Sequence, residues 1–217
     1  MKGMHYLKKN NTLAVALLTL AMFVLSFFYL DTLFLFWARE FKVGKSLLYT
    51  SVDTVYPFIR DASNGLSFIA IIIGFFLLAR FYNKRLYEAG TSLCIGFAAT
   101  GIVVQLLKHM IGRARPKIAD TLIIIGPTLK SKYDSFPSGH TAVAFCFAYI
   151  LSAYYPKYRV LFYLLATLVG AGRLKVPSHF LSDVMGGAVI GLFIGKLTLH
   201  YVKLFMNRKR ATKSPVM

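Results

Sequence analysis

The sequence predicts an all-α membrane protein, a bundle of six transmembrane helices forming a single domain over residues 1–217. Two observations predict this fold class. Apolar residues make up 57% of the chain and charged residues only 16%, against about 45–50% and about 25% in soluble domains. The apolar residues also occur in long uncharged blocks, without the regular alternation typical of soluble helices and strands. These properties exclude a disordered chain and disfavour a soluble domain.

Six uncharged blocks are the predicted spans, since a helix needs about 20 residues to cross the hydrocarbon core. The first three are long enough on their own. The last three are shortened at one end by charged residues or histidines, and the sixth is long enough only if its helix begins near His179 and passes Lys196. In chain order the blocks are Thr12–Leu30, Ala62–Ala79, Ala89–Leu107, Thr141–Pro156, Val160–Gly172 and Val184–Gly195.

The segments between and beyond the spans carry further expectations. The aromatic, partly apolar piece Leu33–Trp37 favours a segment lying in the membrane interface. The segment Lys108–Ser138 is long for a loop in a compact bundle, and such loops are usually functional. The segment Asn207–Met217 forms a basic tail. Cys94 and Cys146 lie inside apolar blocks, which indicates buried thiols rather than a disulfide.

The distribution of charge predicts cytoplasmic N- and C-termini. The two sets of loops hold nearly equal numbers of Lys and Arg, but several outer cations belong to clusters that fit a phosphate site. Without those cations the inner loops are the more positive set. The net charge of +18 indicates that the binding partner is an anionic lipid surface or an anionic substrate. Nucleic-acid binding is disfavoured, because the cations are spread over loops on both sides of a membrane.

The first of three chemically interesting clusters leaves the third span and ends at Pro116. Lys108 and Arg115 are seven positions apart, so both point to the same side if the helix continues to Pro116. Cations at the end of a membrane helix are more often anchors in the interface than ligands. This cluster alone is therefore weak support for a binding site.

The second cluster, Pro-Ser-Gly-His, enters the fourth span. It places Ser138 and Gly139 at a helix N-terminus, where free backbone N–H groups can bind an anion. The third cluster begins at Arg173 and includes His179 and Asp183. These two residues are four positions apart, so on a helix the carboxylate can reach the imidazole.

The three clusters together predict a site that handles phosphate. Each alone has an ordinary explanation as an anchor, a helix cap or a surface pair. Under one topology, however, all three fall on the same membrane face, and ionisable groups at membrane depth are costly. They combine cations for a dianion, a histidine beside a carboxylate, and a second histidine, His140. His109 is expected to be structural, and the remaining cations are expected at the outer surface: Arg113, Lys117, Lys130, Lys132 and Lys175.

The order Lys-x6-Arg-Pro, Pro-Ser-Gly-His and Arg-x5-His-x3-Asp resembles the type 2 phosphatidic acid phosphatase (PAP2) superfamily of integral-membrane lipid phosphatases. The three motifs cover Lys108 to Asp183 with their internal spacing intact. One position departs from the family pattern. Gly172 stands where the family usually has Ser before the Arg, so a hydroxyl that could contact phosphate is missing.

The resemblance implies an enzyme, a phosphoric ester or anhydride hydrolase that needs no metal and no cofactor. It implies that His179 is the nucleophile, forming a phosphohistidine, and that Asp183 fixes the tautomer of its ring. His140 would be the general acid for the leaving group and then the base that activates water. The implied phosphate-binding set is Lys108, Arg115, Ser138, Gly139 and Arg173.

The resemblance leaves several alternatives open. The substrate could be undecaprenyl diphosphate, phosphatidylglycerophosphate, phosphatidic acid or a lipid A phosphate. A lipid phosphotransferase of the same superfamily would use the same residues, and the oligomeric state is not indicated. A transporter is less favoured, because only Lys196 lies well within a span. The expected location is a bacterial plasma or inner membrane, with the active site facing the periplasm or exterior.

Overall fold

The computed structural model describes residues 18, 21–43, 70, 73, 74, 77, 83–175 and 178–211. These residues form helices and loops, and no β-strand occurs among them. A π-helical turn, Ser26–Leu30, leads into the first helix, and short 3-10 turns lie at Ser131–Tyr133 and Pro156–Tyr158. The α-helices are α1 (Asp31–Val43), α2 (Lys84–Ile111), α3 (Gly139–Tyr154), α4 (Arg159–Lys175) and α5 (Leu181–Ala211).

Helices α2 to α5 cover the third to sixth predicted spans. Within the described part of the chain, the stretches Lys84–Ile111 and Leu181–Arg208 are long and apolar enough to cross a membrane, at 28 residues each. Gly139–Tyr154 is a shorter apolar helix, as is Ala21–Trp37. The sixth predicted span begins at Leu181 and continues past Lys196, close to the expected extent. The total of six spans stays a prediction.

Some predicted features lie outside the described residues. They include the span Ala62–Ala79 apart from four single positions, most of the first part of Thr12–Leu30, His5, and the end of the basic tail after residue 211. The side chain of Lys175 is not described either.

The helix that contains the end of the first predicted span does not stop at Leu30. Residues 21–43 are helical throughout, and the chain passes Asp31 without leaving the helix. The carboxylate of Asp31 is not in water: the residue is 4% exposed and bonded to Arg113. Beyond Asp31 the helix is two-sided, with Leu35 buried and Trp37 exposed. The membrane-interface position of this segment stays a prediction.

Helix α3 lies at the centre of the bundle and packs against α2, α4 and α5. Its contact with α5 is the most extensive, because small residues on α5 let the two backbones come close together. A methyl group added at Gly191 would overlap the carbonyl oxygen of Ala142 in α3. Cys146 lies in the main apolar core and Cys94 is half-buried, and both are free thiols as predicted.

Helix α2 begins and ends at recognisable capping residues. The Asn83 side chain accepts a hydrogen bond of 2.8 Å from the backbone N–H of Leu86, which satisfies a donor at the helix start. Gly112 ends the helix in the left-handed conformation, with φ of 61°, a conformation that glycine adopts at low cost. The prediction that this helix continues to Pro116 is therefore wrong. Lys108 lies on the helix and Arg115 in the loop that follows.

Candidate active site

The three predicted clusters meet at one end of the bundle, around one pocket of about 240 Å³. The end of α2, the start of α3, the end of α4 and the segment before α5 converge there. Phe97, Val104 and Val143 supply apolar lining. The pocket is also lined by six of the residues predicted from the sequence: Lys108, Arg115, Gly139, His140, Arg173 and His179.

Asp134 joins the two cations of the first cluster even though the helix between them is broken. Arg115 donates from Nε and Nη2 to the two oxygens of Asp134, both at 2.7 Å. The Lys108 Nζ lies 3.7 Å from the same carboxylate. The two cations are therefore held together by a residue that sequence reasoning missed, and Arg115 keeps its Nη1 side for another acceptor.

The pKa of Asp134 lies below its usual value. Burial raises this pKa, but the hydrogen bond from Arg115 and the charge of Lys108 lower it by more. Asp134 therefore stays ionised at neutral pH and holds the side chains of both cations beside the pocket.

The second cluster forms the start of α3 as expected. Gly139 and His140 are the first two residues of the helix, and Ser138 is the N-cap. The Ser138 hydroxyl is fully buried and accepts a hydrogen bond of 2.9 Å from the Thr141 hydroxyl. Ser138 is next to the pocket, but it is not among the lining residues, whereas Gly139 and His140 are.

His179 is buried at the pocket, with 4% of its surface exposed. Its Nδ1 lies 2.8 Å from the carbonyl oxygen of Ser135 and 3.6 Å from Oδ2 of Asp183. Both neighbours are acceptors, so Nδ1 carries the proton and Nε2 is the unprotonated nitrogen. The motif pattern implied Asp183 as the partner that fixes the tautomer, but the backbone carbonyl of Ser135 is nearer.

The position of His179 differs from the helical pair that was expected. Helix α5 begins at Leu181, so His179 lies in the turn before it. Asp183 still comes close because its side chain reaches back over the helix start, where Oδ2 accepts a hydrogen bond of 2.8 Å from the backbone N–H of Phe180. The same oxygen accepts 2.6 Å from the Ser135 hydroxyl. Asp183 is thereby held rigidly beside the imidazole.

Burial lowers the pKa of His179 below the ordinary imidazole value. The hydrogen bond and the negative charge of Asp183 oppose this effect without cancelling it. The ring is therefore neutral at neutral pH, which is the form that can act as a nucleophile.

The prediction that Arg113 is an outer-surface cation is wrong. Its side chain is 1% exposed, and its Nη1 donates to Oδ1 of Asp183 at 2.6 Å. The spacing pattern could not identify it, because a cation in a loop is usually solvated. Lys117, Lys130 and Lys132 are exposed as expected. His109 has the predicted structural role, since its Nδ1 lies 3.0 Å from the carbonyl oxygen of Thr128 in the loop.

The fold and the pocket together define a helical membrane protein with a small site suited to a phosphate group. Three cations surround the pocket, and two histidines face it from different elements. The chain belongs to the PAP2 superfamily, whose family model matches residues 89–207.

Named relatives agree with this membership. The chain is 34% identical over 125 residues to a lipid A 1-phosphatase of Rhizobium johnstonii, covering 55% of this chain and 51% of the relative. It is 31% identical over 144 residues to phosphatidylglycerophosphatase B of Bacillus subtilis, covering 61% and 66%. The chain thus matches about half the length of the lipid A 1-phosphatase.

Two crystal structures share the fold. LpxE of Aquifex aeolicus is similar with a TM-score of 0.61 and 26% identity, over 81% of this chain and 98% of the other. A PAP2-type phosphatidylglycerolphosphate phosphatase of Bacillus subtilis is similar with a TM-score of 0.63 and 23% identity, over 90% and 96%. The second likeness shows the fold alone.

Proposed function

We infer that this protein is a lipid phosphatase that removes a phosphate from a membrane lipid through a phosphohistidine. One observation carries the proposal: residues from three distant motifs surround one pocket, with a neutral histidine among three cations. Phosphoryl transfer depends mainly on positioning and on stabilising negative charge spread over the phosphate oxygens. The pocket supplies both conditions. The names of the curated relatives support the lipid class.

In the first step, Nε2 of His179 attacks phosphorus as the bond between phosphorus and the leaving oxygen breaks. His140 gives its proton to the leaving oxygen. Lys108, Arg115 and Arg173, with the Gly139 N–H, hold the phosphoryl oxygens. These groups neutralise the developing charge without a metal ion or a cofactor. Ser138 is buried next to the pocket and is the N-cap of the helix that carries His140.

In the second step, His140 takes a proton from water, and the resulting hydroxide attacks the phosphohistidine. The N–P bond breaks and inorganic phosphate leaves. Asp183 stabilises the positive charge that the His179 ring carries while it is phosphorylated. Throughout, the proton on Nδ1 is held by the Ser135 carbonyl oxygen at 2.8 Å.

The size of the pocket bears on the substrate. A volume of about 240 Å³ is below the range of about 300–1,000 Å³ that encloses a drug-sized ligand. It accommodates the phosphate headgroup and leaves the acyl or prenyl chains in the bilayer. Undecaprenyl diphosphate, phosphatidylglycerophosphate, phosphatidic acid and lipid A phosphates all meet this requirement. We place the site at the outer face of a bacterial plasma or inner membrane.

The test is phosphate release by detergent-purified protein from each of these four lipids, in the presence of EDTA, beside His179→Ala. Release from at least one lipid that persists in EDTA and disappears in the variant is the expected result. A requirement for added magnesium would refute the metal-free mechanism.

Absence of phosphate release from every lipid, in protein shown to be folded, would refute the hydrolase proposal. A transferase would then be revealed by supplying a second lipid as acceptor and following the labelled phosphoryl group.

A further inference from the structure

Arg113 connects the residue beside the candidate nucleophile to the N-terminal helix, far away in the sequence. Its Nη1 donates to Asp183 and its Nη2 to Oδ2 of Asp31, each at 2.6 Å. The exposed fractions of Arg113, Asp31 and Asp183 are 1%, 4% and 0%. Burying three charges is costly, and such a group is weak support for stability alone. The contact of Arg113 with Asp183, the carboxylate beside His179, suggests a different purpose.

Ser182 completes the connection. Its hydroxyl accepts from Arg113 Nη1 and donates to Asp31 Oδ2, both at 2.6 Å. Its backbone N–H donates to Asp31 Oδ1 at 2.8 Å. The start of α5 is thus tied to Asp31 by two bonds that do not involve Arg113. Any displacement of α1 would move the turn that carries His179.

Two aromatic rings contact the guanidinium of Arg113. The Cζ of Arg113 lies 4.5 Å from the ring centroid of Phe27 and 4.5 Å from that of Phe180. Such contacts favour a cation over the ring faces. The Nη1 and Nη2 groups lie in the plane of the guanidinium and donate there to Asp183, Asp31 and Ser182.

The net charge of Asp31, Arg113 and Asp183 together affects the proposed chemistry. Arg113 alone would neutralise Asp183, the carboxylate 3.6 Å from the His179 ring. Asp31 supplies a second negative charge, so two carboxylates share one guanidinium and the group retains one net negative charge. That charge remains available to the imidazole when it becomes positively charged as phosphohistidine.

We propose that Asp31 and Arg113 are positioning residues for the nucleophile His179, acting through Asp183 and through the start of α5. The inference rests on the proposed phosphatase function. It makes the N-terminal helix, which lies outside the three motifs, part of the working site. Neither residue touches the substrate in this proposal.

The first test compares Asp31→Asn and Arg113→Met with the wild-type protein and with Arg159→Met. Arg159 is an exposed cation at the start of α4 and makes a matched control. Asp31→Asn and Arg113→Met are each expected to lower kcat about 10- to 100-fold. Losses of this size are typical when a hydrogen-bond partner of a functional side chain is removed. KM should change by less than about 3-fold, because neither variant removes a contact with the bound substrate. The control should keep the wild-type kcat.

The double variant Asp31→Asn/Arg113→Met distinguishes positioning from folding. It removes one negative and one positive charge, so the net charge of the group is that of the wild type. The melting temperature should recover relative to Arg113→Met, while kcat stays low. Both residues act on His179 through the same contacts. The factor by which kcat falls in the double variant should therefore be smaller than the product of the factors for the two single variants.

Ser182→Ala provides a milder variant in case the charge changes prevent folding. It retains all three charges and removes one hydroxyl from the network. A loss in kcat with unchanged KM and normal melting is the expected result. Wild-type kcat in folded Asp31→Asn, Arg113→Met and Ser182→Ala would overturn the proposal, and so would losses that appear only in KM.

A spectroscopic measurement separates failure of this inference from failure of the proposed function. In protein labelled with ¹⁵N-histidine, the two ring nitrogens of His179 report the tautomer directly. Asp31→Asn and Arg113→Met should shift these signals and Arg159→Met should not, whether or not any lipid is hydrolysed. Unchanged His179 signals in both network variants would overturn the inference even if the wild-type protein proves to be a phosphatase.

Discussion

His179 illustrates how a buried side chain is prepared at the scale of one residue. Two acceptors, the Ser135 carbonyl oxygen and the Asp183 carboxylate, lie beside Nδ1 at 2.8 and 3.6 Å. They hold the proton on that nitrogen and leave Nε2 unprotonated, as the proposed nucleophile. Burial lowers the pKa of the ring, despite the opposing charge of Asp183. The two effects together give a neutral, oriented ring at neutral pH.

This environment predicts a pH dependence for formation of the phosphohistidine. Only neutral His179 can attack, and a pKa below the ordinary value of 6.5 keeps it neutral in weakly acidic solution. The acidic limb of the rate should therefore lie below pH 6.5. Rapid mixing with p-nitrophenyl phosphate measures this step, because its leaving group needs no proton from His140. A rate already half-lost at pH 6.5 or above would contradict the assignment of the low pKa to the nucleophile.

At the scale of the helices, the site depends on the close contact between α3 and α5. Glycines on α5 face the α3 backbone near Ser138, Ala142 and Cys146. The first turn of α3 carries His140, and the turn before α5 carries His179. The separation of the two helices therefore sets the distance between the proposed acid and the proposed nucleophile.

Gly191→Ala is expected to weaken this contact. The added methyl group would overlap the Ala142 carbonyl oxygen and approach the Cys146 backbone nitrogen, so one helix must move. Overpacking of this kind costs about 1–3 kcal/mol. The measurement is the free energy of unfolding in detergent, compared between Gly191→Ala and the wild-type protein.

Gly101→Ala in α2 is the matched control, because an added methyl group there meets nothing within 4 Å. Equal stability of the two alanine variants would show that α3 and α5 are less tightly packed than the structure indicates.

At the scale of the whole molecule, the alternating direction of the helices assembles the site. The chain leaves α2, enters α3, leaves α4 and enters α5 at the same end of the bundle. Segments that are distant in sequence therefore share one pocket. The same alternation would place the start of α2 and the C-terminal end of α5 at the opposite membrane face.

This arrangement predicts opposite accessibility for two exposed lysines. Lys130 belongs to the loop at the pocket end, and Lys203 lies near the end of α5. In a Cys94→Ala/Cys146→Ala background, Lys130→Cys in intact cells should react with a membrane-impermeant maleimide. Lys203→Cys should react only after permeabilisation, and the background protein without an added cysteine is the control. The reverse pattern would place the pocket on the cytoplasmic side.

The sequence by itself determined the membrane class, the helical positions of the last four predicted spans and the motifs that mark the PAP2 superfamily. Such features are local, because uncharged length and motif spacing follow directly from the order of residues. Six of the eight predicted site residues line the pocket, since helix direction brings their segments to one end.

Only the tertiary structure decided which charged groups are partners. Asp31 reads in the sequence as the end of a span and Arg113 as a solvated cation, yet each is buried against the other. Asp134 likewise joins Lys108 and Arg115 after Gly112 has ended the helix between them. The electrostatic energy of a charged side chain depends on the groups around it in three dimensions. For Arg113 one of those groups is Asp31, which is 82 positions away in the sequence.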